Sequence, residues 1–532
     1  MSAKTYVGDA GAGLALQGGY VAEFDADQEG GETAGHPVAG AEMLDMAAGS
    51  RGTYARSQER VGRLSVIQKL LYALGEMPGQ HMNFAIGSFI MLYYNQILGL
   101  SSTMVAVAGG LALLLDSASD PFVGAFSDRF KSRLGRRHPF MYAAAVPLGF
   151  FIYLLFAPPA GLSEILLIAW LVSFLILTRQ AFTVFSVPWS ALTPELAVDY
   201  QDRTSLASYR ALIATVCGGL AGFLFFNLVF AASPGYEQGQ LNPENYAFFA
   251  PLIGILITLW CLASAYFTRK QVPYLLQPAV TTRASFSDML RAIMLALRGS
   301  NYQIVLGGLL IYFGIASTLA TFDMLVSTYF WRLSGEQLGF ISVAMIIGPI
   351  SAFIVAPRLQ PAFQKHHVLC AALFVQMLLS LVSVSMRLGG FFPENESPLF
   401  LPLLSSFAVV QAFVQALTMI MLLSMIPDLV DEQEYRVGER QEGVFSAGVA
   451  TATKAVGSVG LIVSGVLLDT FIGLEPGSAN TEIAEDVIVR LAITDAVIVN
   501  AFILIPIYLL SRYTLTSERL TQIQIELAKR RG

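Results

Sequence analysis

The sequence predicts an all-α membrane protein of about twelve transmembrane helices, on three observations. Hydrophobic residues make up 55% of the chain and charged ones only 13%, about half the charged share of a soluble domain. The apolar residues fall in runs of about 20, the length that crosses roughly 30 Å of hydrocarbon. Most ionisable residues lie between those runs. Too little polar surface remains to cover a water-facing globule of 532 residues, so a soluble enzyme is a poor reading.

Residues 1–63 precede the first run. Positions 1–50 carry eight acids (Asp9, Glu23, Asp25, Asp27, Glu29, Glu32, Glu42, Asp45) against Lys4, so the chain's net charge of −6 belongs to this Gly/Ala-rich segment. It reads as a disordered acidic cytoplasmic tail. A signal peptide would need a basic start and an apolar core, which it lacks; the first span then serves as the uncleaved insertion signal. Six runs follow at 68–98, 102–126, 139–158, 163–190, 207–232 and 247–267, an N-terminal bundle over 64–267. A linker covers 268–301. Six more runs lie at 302–330, 337–356, 366–386, 398–425, 443–470 and 490–511, a C-terminal bundle over 302–511, before a cytoplasmic tail at 512–532.

Within the linker, Phe286, Met289, Leu290, Ile293, Met294 and Leu297 share one helical face. Ser285, with Asp288 three residues on, makes a capping-box-like start. An amphipathic helix on the inner leaflet is expected. Two six-helix halves joined in this way are the plan of the major facilitator fold, in which solute binds near the midplane between the halves.

Lys and Arg set the orientation. The link between spans 2 and 3 holds Arg129, Lys131, Arg133, Arg136 and Arg137; that between spans 6 and 7 holds Arg269, Lys270, Arg283, Arg291 and Arg298. The opposite links offer Arg332 and Arg387, with Arg490 at a span edge. Both termini and every even-to-odd link are therefore expected in the cytoplasm. Cys217, Cys261 and Cys370 fall in or beside apolar runs with no metal spacing, and read as small buried hydrophobes.

The charges inside the spans carry the functional signal. Asp116 and Asp120 lie in LLLDSASDPFVG of span 2. A charge at the bilayer centre costs roughly 2.5–3.5 kcal/mol on insertion scales. Two carboxylates four residues apart share a helix face and repel unless a cation or proton lies between them. Their hard oxygens suit Na⁺ as a metal ligand pair; a shared proton is the other option. A bland alternative is that neighbouring Ser, Thr or Lys groups satisfy them. Lys454, in GVATATKAVGSVG of span 11, is the natural partner, either reporting cation occupancy across the halves or locking the bundle as a static ion pair.

Arg179, Thr183 and Ser186 on span 4 follow at steps of four and three, so they look into one cavity. Span 1 carries Glu76, Gln80 and His81 around Pro78, which is expected to bend the helix, and span 7 carries Asp323. Each is as readily structural glue as a solute ligand; together they suggest a polar central cavity. Asp128, Arg129, Arg136 and Arg137 in GAFSDRFKSRLGRRHPF suit a cytoplasmic gate of paired charges at span ends, or positive-inside topology alone. No metal-spaced His pair, phosphate-cradling Gly loop or nucleophile elbow occurs, so no enzyme, resident cofactor or nucleic-acid partner is expected.

The segments KLLYALGE, NFAIG, LYYNQILGL, DSASDPFVGAFSDRFKSRLGRRHPF, VPWSALTPELAVDYQDRTSLASYR and IPDLVDEQEYRVGERQEGVFSAGVATATKAVGSVG, spread over most of 64–455, resemble the glycoside–pentoside–hexuronide:cation symporters, the branch of the major facilitator superfamily that includes the melibiose permease. The resemblance implies that Asp116 and Asp120 form the cation site, with Thr183 contributing. It implies that Lys454 sits where cation and substrate sites meet, and that Arg210 lies near the substrate. The chain departs from the melibiose permease where that protein uses carboxylates on spans 1 and 4 to hold sugar hydroxyls: Gln80 and Ser186 stand there, and Arg179 replaces a small residue.

The expectation is thus a monomeric multi-pass protein of the cell (inner) membrane that moves a sugar or glycoside, acidic sugars included, with Na⁺ or H⁺ by alternating access. Two alternatives stand beside it. One is Na⁺-coupled transport of a lysophospholipid or other amphiphile, as some relatives in that branch perform; the other is a non-transporting sensor or assembly factor.

Overall fold

A computed structural model describes residues 54–56, 64–130, 132–197, 200–278, 299–360, 362–438 and 442–531. The acidic segment at 1–50 and the expected linker helix at 285–297 lie outside the described residues. The described residues from 55 onward form one compact unit. Apart from two three-residue strands, Tyr54–Arg56 and Leu276–Pro278, the regular structure described is helical.

Twelve helical segments follow the expected order. Eleven of them, among the described residues, are long and apolar enough to cross a membrane. Span 1 is the exception. It runs through Val66–Ala73, a 3₁₀ turn at Leu74–Glu76, Met77–Met91 and a π segment at Leu92–Ile97. Its polar residues, among them Glu76, Gln80, His81, Asn95 and Gln96, lower its hydropathy; Glu76, His81, Asn95 and Gln96 find hydrogen-bond partners inside the protein. The 3₁₀ turn falls just before Pro78, where a bend was expected.

Spans 2 to 6 are Ser102–Arg129, His138–Leu155, Glu164–Ser190, Tyr200–Leu228 and Pro243–Thr268. Span 7 is Ser300–Leu325 with a π turn at Val326–Phe330, and span 8 is Gly335–Ala344 with Ile347–Leu359. Spans 9 and 10 are Lys365–Leu388 and Phe400–Val437. Span 11 is Glu442–Val466 with a π segment at Leu467–Ile472; span 12 comprises Glu485–Ile493, Thr494–Val499 and Leu504–Leu510. Span 10 outlasts its apolar run by a dozen residues or so, past Asp428, Asp431 and Glu434. It ends where Gly438 takes a left-handed φ of 84°, the usual helix stop.

The last twenty residues are more ordered than a tail. Ser517–Arg531 is a helix that buries Ile523 and Leu527, four residues apart. It docks on the extended end of span 10: Gln524 Nε2 donates to Asp431 Oδ2 at 3.0 Å, Arg530 Nη1 donates to the Tyr435 carbonyl at 3.1 Å, and Arg519 and Arg530 lie over the Tyr435 ring.

The two sets of six spans meet through span 2 against span 11, span 5 against span 8 and span 1 against span 7. At the end bearing the links 1–2, 5–6, 7–8 and 11–12, hydrogen bonds join the sets. Ser102 and Thr103 amides donate to the Asp469 carboxylate at 2.9 and 2.8 Å. These amides open span 2, so Asp469 caps that helix across the interface. Tyr329 Oη donates to Gln96 Oε1 at 2.7 Å, Gln240 Nε2 to the Leu333 carbonyl at 3.0 Å, and the Ala232 amide to Glu336 Oε1 at 3.0 Å. Glycine permits the closest approach: a Cβ on Gly335 would stand 1.9 Å from the Phe230 carbonyl oxygen, and one on Gly465 would stand 2.4 Å from Ala106.

At the opposite end the ion pairs between described residues stay within one set. Lys69 pairs with Asp202 at 2.9 Å, Arg136 with Glu195 at 2.6 Å, and Lys365 with Asp428 at 2.6 Å. One end is therefore stitched shut across the halves.

Candidate functional site

Span 2 is broken as a hydrogen-bonded ladder just where its carboxylates sit. Pro121 follows Asp120 inside the helix and has no N–H, so the Ser117 carbonyl loses its helical donor. Asp116 and Asp120 project from the same face toward spans 4 and 11. Thr183 on span 4 is 1% exposed and donates its hydroxyl to Asp116 Oδ1; its oxygen also lies 3.2 Å from Asp120 Oδ1. Lys454 Nζ on span 11 stands 3.0 Å from Asp116 Oδ2 and 2.6 Å from Asp120 Oδ2. One ammonium thus bridges two carboxylates, joining the first six spans to the second six. The small residues around Lys454 let span 11 come this close.

Access is graded across the cluster. The Asp116 side chain is 5% exposed, while those of Asp120 and Lys454 are 30% and 34% exposed. Water reaches the ammonium and the outer carboxylate, and the inner carboxylate is sealed behind them. An entering cation would meet Asp120 first and would have to displace Lys454 to reach Asp116. Among the described residues no group of three or more His, Cys, Asp or Glu side chains could hold a metal ion. A cation here would therefore draw on the two carboxylates, the Thr183 hydroxyl and non-titrating oxygens.

The remaining residues singled out by sequence fall into four places. Arg179 stands one turn before Thr183, within electrostatic reach of Asp116; its Nε is buried with no hydrogen-bond partner among the described residues. Glu76 and Arg210 find each other: Arg210 Nε donates to Glu76 Oε1 at 2.7 Å, and the guanidinium lies 4.4 Å over the Trp189 ring, which stacks on Tyr72. Gln80 places its Oε1 beside Gly218 of span 5, and Ser186 is half-buried on span 4. Asp323 lies apart from all of these. It lines a cavity of about 360 Å³ walled mainly by spans 7 to 10 and 12, together with Asp495 of span 12.

At the unstitched end, Arg137 is 6% exposed and reaches Asp128 Oδ1 at 2.5 Å, Glu195 Oε1 at 3.1 Å and the Ser127 hydroxyl at 2.7 Å. Arg136 meets the same Glu195 oxygen at 2.6 Å. Arg129 is exposed and stands outside this group. Sequence reading missed Glu195, which sits in the short helix Leu192–Leu196 and joins the cluster from 58 residues away along the chain. It also missed Asp469 and Asp495, each an acid inside an apolar run, a signal that was there to be read.

The family described as MFS/sugar transport protein matches residues 71–517. Relatives span most of both chains. The inner membrane symporter YicJ of Escherichia coli (strain K12) is 25% identical over 476 residues, covering 88% of this chain and 95% of its own. The sphingosine-1-phosphate transporter MFSD2B of Mus musculus is 24% identical, covering 85% and 90%. The isoprimeverose transporter of Lactiplantibacillus pentosus is 20% identical, covering 75% and 79%. In structure, the inward-open xylose transporter XylE from E. coli superposes with a TM-score of 0.54 at 13% identity, covering 86% of this chain and 98% of its own. These likenesses make the protein a multi-pass membrane transporter of small solutes and not an enzyme. The chain belongs to the MFS/sugar transport family, among its melibiose-permease-like symporters.

Proposed function

We propose that the protein is a cation-coupled symporter of a sugar or glycoside that works by alternating access. The observation that carries the reading is the Lys454 ammonium bound to both Asp116 and Asp120 across the two sets of spans. In this state the ammonium occupies the place of the coupling cation. A cation, Na⁺ or H⁺, arriving at Asp120 neutralises the pair and releases Lys454. With Lys454 goes a charge contact between spans 2 and 11, which lowers the cost of rearranging the halves. A ligand shifts such an equilibrium only through its different affinity for the two states. The cation supplies that difference by competing with the Lys454 bridge of this arrangement.

The positive-inside bias supports a reading in which the stitched end faces outward and both termini lie in the cytoplasm, so that this arrangement is inward-open; the protein works as a monomer. The Arg137–Glu195–Asp128 cluster holds the cytoplasmic ends of spans 2, 3 and 4 as one piece, and is the base on which a cytoplasmic gate closes. Glu76 and Arg210 satisfy each other while the solute site is empty. Together with Gln80, Ser186 and Arg179, they supply both donors and acceptors to hydroxyls entering between spans 1, 4 and 5.

A second reading rests on Arg179. A buried guanidinium nitrogen without a partner is costly, and a phosphate or carboxylate would satisfy it. That chemistry suits an acidic sugar, and it also suits a phosphate-bearing amphiphile such as the one named for the mouse relative. A thermal-shift screen of purified protein separates the two. Neutral glycosides, hexuronates and lysophospholipids are each tested with and without Na⁺. Stabilisation by a glycoside that grows with the cation supports the proposal; stabilisation by lysophospholipids alone refutes it.

A further inference from the structure

Asp323 and Asp495 take no part in the cluster above, and neither has an ion-pair partner among the described residues. They come from different spans, influence each other electrostatically and line one cavity. Asp323 is exposed to this cavity and Asp495 is half-buried beside it, so the wall around them shows what could meet them.

The cavity's polar wall offers acceptors. Among the described residues no Lys, Arg or His lines it. The hydroxyls of Ser342 and Ser383 give their hydrogens to the Leu338 and Ser380 carbonyls, at 2.8 and 3.1 Å, and leave oxygen lone pairs facing inward. Gln411, in the same wall, has a buried side-chain oxygen without a partner. These oxygens and the two acids favour a ligand that brings hydrogen-bond donors, while the Ser88, Ser327 and Ser380 hydroxyls can give or accept a bond, as sugar hydroxyls can. Trp331 and Phe407 add aromatic surface to the lining. At about 360 Å³ the space far exceeds what one ion needs and falls within the range of small-molecule sites. Phe84 and Ser88 of span 1 and Phe226 of span 5 close one side, so an occupant touches both halves.

We propose that this cavity is a solute subsite in which Asp323 and Asp495 accept hydrogen bonds from the hydroxyls of an uncharged, hydroxyl-rich part of the cargo. The proposal rests on the glycoside reading and deepens it. It moves the paired-acid grip on sugar hydroxyls from spans 1 and 4 to spans 7 and 12. Among the described residues the wall offers an anionic headgroup no Lys, Arg or His to pair with, so a sugar ring and not a phosphate enters here. The hydroxyl hydrogens point at carboxylate oxygens, and the ring's apolar face lies on the aromatics.

The test uses the full chain, purified, with a panel of neutral glycosides, choline and phosphocholine as probes. Binding is read by thermal shift and calorimetry for Asp323→Asn, Asp323→Ala, Asp495→Asn and Asp495→Ala. Asparagine keeps an accepting oxygen, so Asn variants should weaken glycoside binding several-fold and Ala variants tenfold or more. Cation binding at the span-2 pair should stay within about twofold of wild type. Unchanged glycoside affinity in both Ala variants overturns the inference and leaves the glycoside reading intact. So does choline binding that both Asn variants abolish, which marks a charge-reading site. Failure of wild type to bind any glycoside overturns the parent reading instead, and this one with it. Should the Ala variants not fold, Ser383→Ala and Gln411→Leu probe the same wall, with the same criteria.

Discussion

Lys454→Ala separates a coupling lysine from a static brace. The ammonium stands 3.0 Å from Asp116 and 2.6 Å from Asp120. A hydrogen bond between charged groups contributes about 1.5–3 kcal/mol when well desolvated. The Lys454 side chain is 34% and Asp120 30% exposed, so solvent screening takes much of this away, whereas Asp116 at 5% exposed keeps its share. About 2 kcal/mol is a fair total for what a cation must displace. At 1.4 kcal/mol per factor of ten, removing the lysine should tighten cation binding by roughly thirtyfold. The same change strands two carboxylates, so the variant melts lower without cation and recovers as cation is added, in proportion to ln(1 + [L]/Kd). Melting curves over a Na⁺ and a pH series measure both effects, and Lys454→Arg, which retains a cation, is the control. The reasoning is refuted if Lys454→Ala binds cation no more tightly than wild type, or more weakly. In that event the lysine would help form the cation site instead of competing for it.

Three further outcomes follow from the geometry. Glu195→Ala leaves Arg136 and the buried Arg137 without their shared carboxylate; the expected loss is about 3 kcal/mol, seen as a lower melting temperature in detergent, with Glu195→Gln intermediate. Asp469→Ala removes two charge-assisted bonds to the start of span 2, about 1–3 kcal/mol, and should shift the population toward outward opening. Spin-label distances between the links 97–101 and 473–477 would lengthen or broaden, and an unchanged distribution would count against Asp469 as part of the seal. Arg210→Lys keeps the charge facing Glu76 but loses the planar stack on Trp189, about 0.5–2 kcal/mol. It should raise the solute KM more than it lowers the maximum rate, as initial-rate uptake would show.

The sequence made the spans and the span-2 site legible because both follow from local costs. Hydrocarbon thickness dictates run length, and the penalty on buried charge makes Asp116, Asp120 and Lys454 conspicuous. What it hid are pairings set by tertiary packing. Nothing in the order of residues brings Arg210 to Glu76, 134 positions away, or Glu195 to Arg136 and Arg137. Glu76 and Arg210 read separately as two solute ligands, yet they form one pair. The π turns that end spans 1, 7 and 11 have no periodic signature, and they aim Gln96, Tyr329 and Asp469 across the interface. Asp495 is different: the rule that exposed Asp323 applies equally to LAITDAVIVN, and the apolar residues around it masked a single acid. The C-terminal helix escaped notice because its apolar docking stripe is narrow, with Ile523 and Leu527 buried and Leu520 partly so against a charged background.

The central claim is that the Asp116–Asp120–Lys454 cluster couples solute movement to a cation. Proteoliposomes with imposed Na⁺ or proton gradients test it most directly, loaded with a glycoside that the binding screen identifies. Wild type should accumulate the solute above its external concentration, while Asp116→Asn and Asp120→Asn should at most equilibrate it, retaining exchange across the membrane. Concentrative uptake by either variant at the wild-type level would contradict the account.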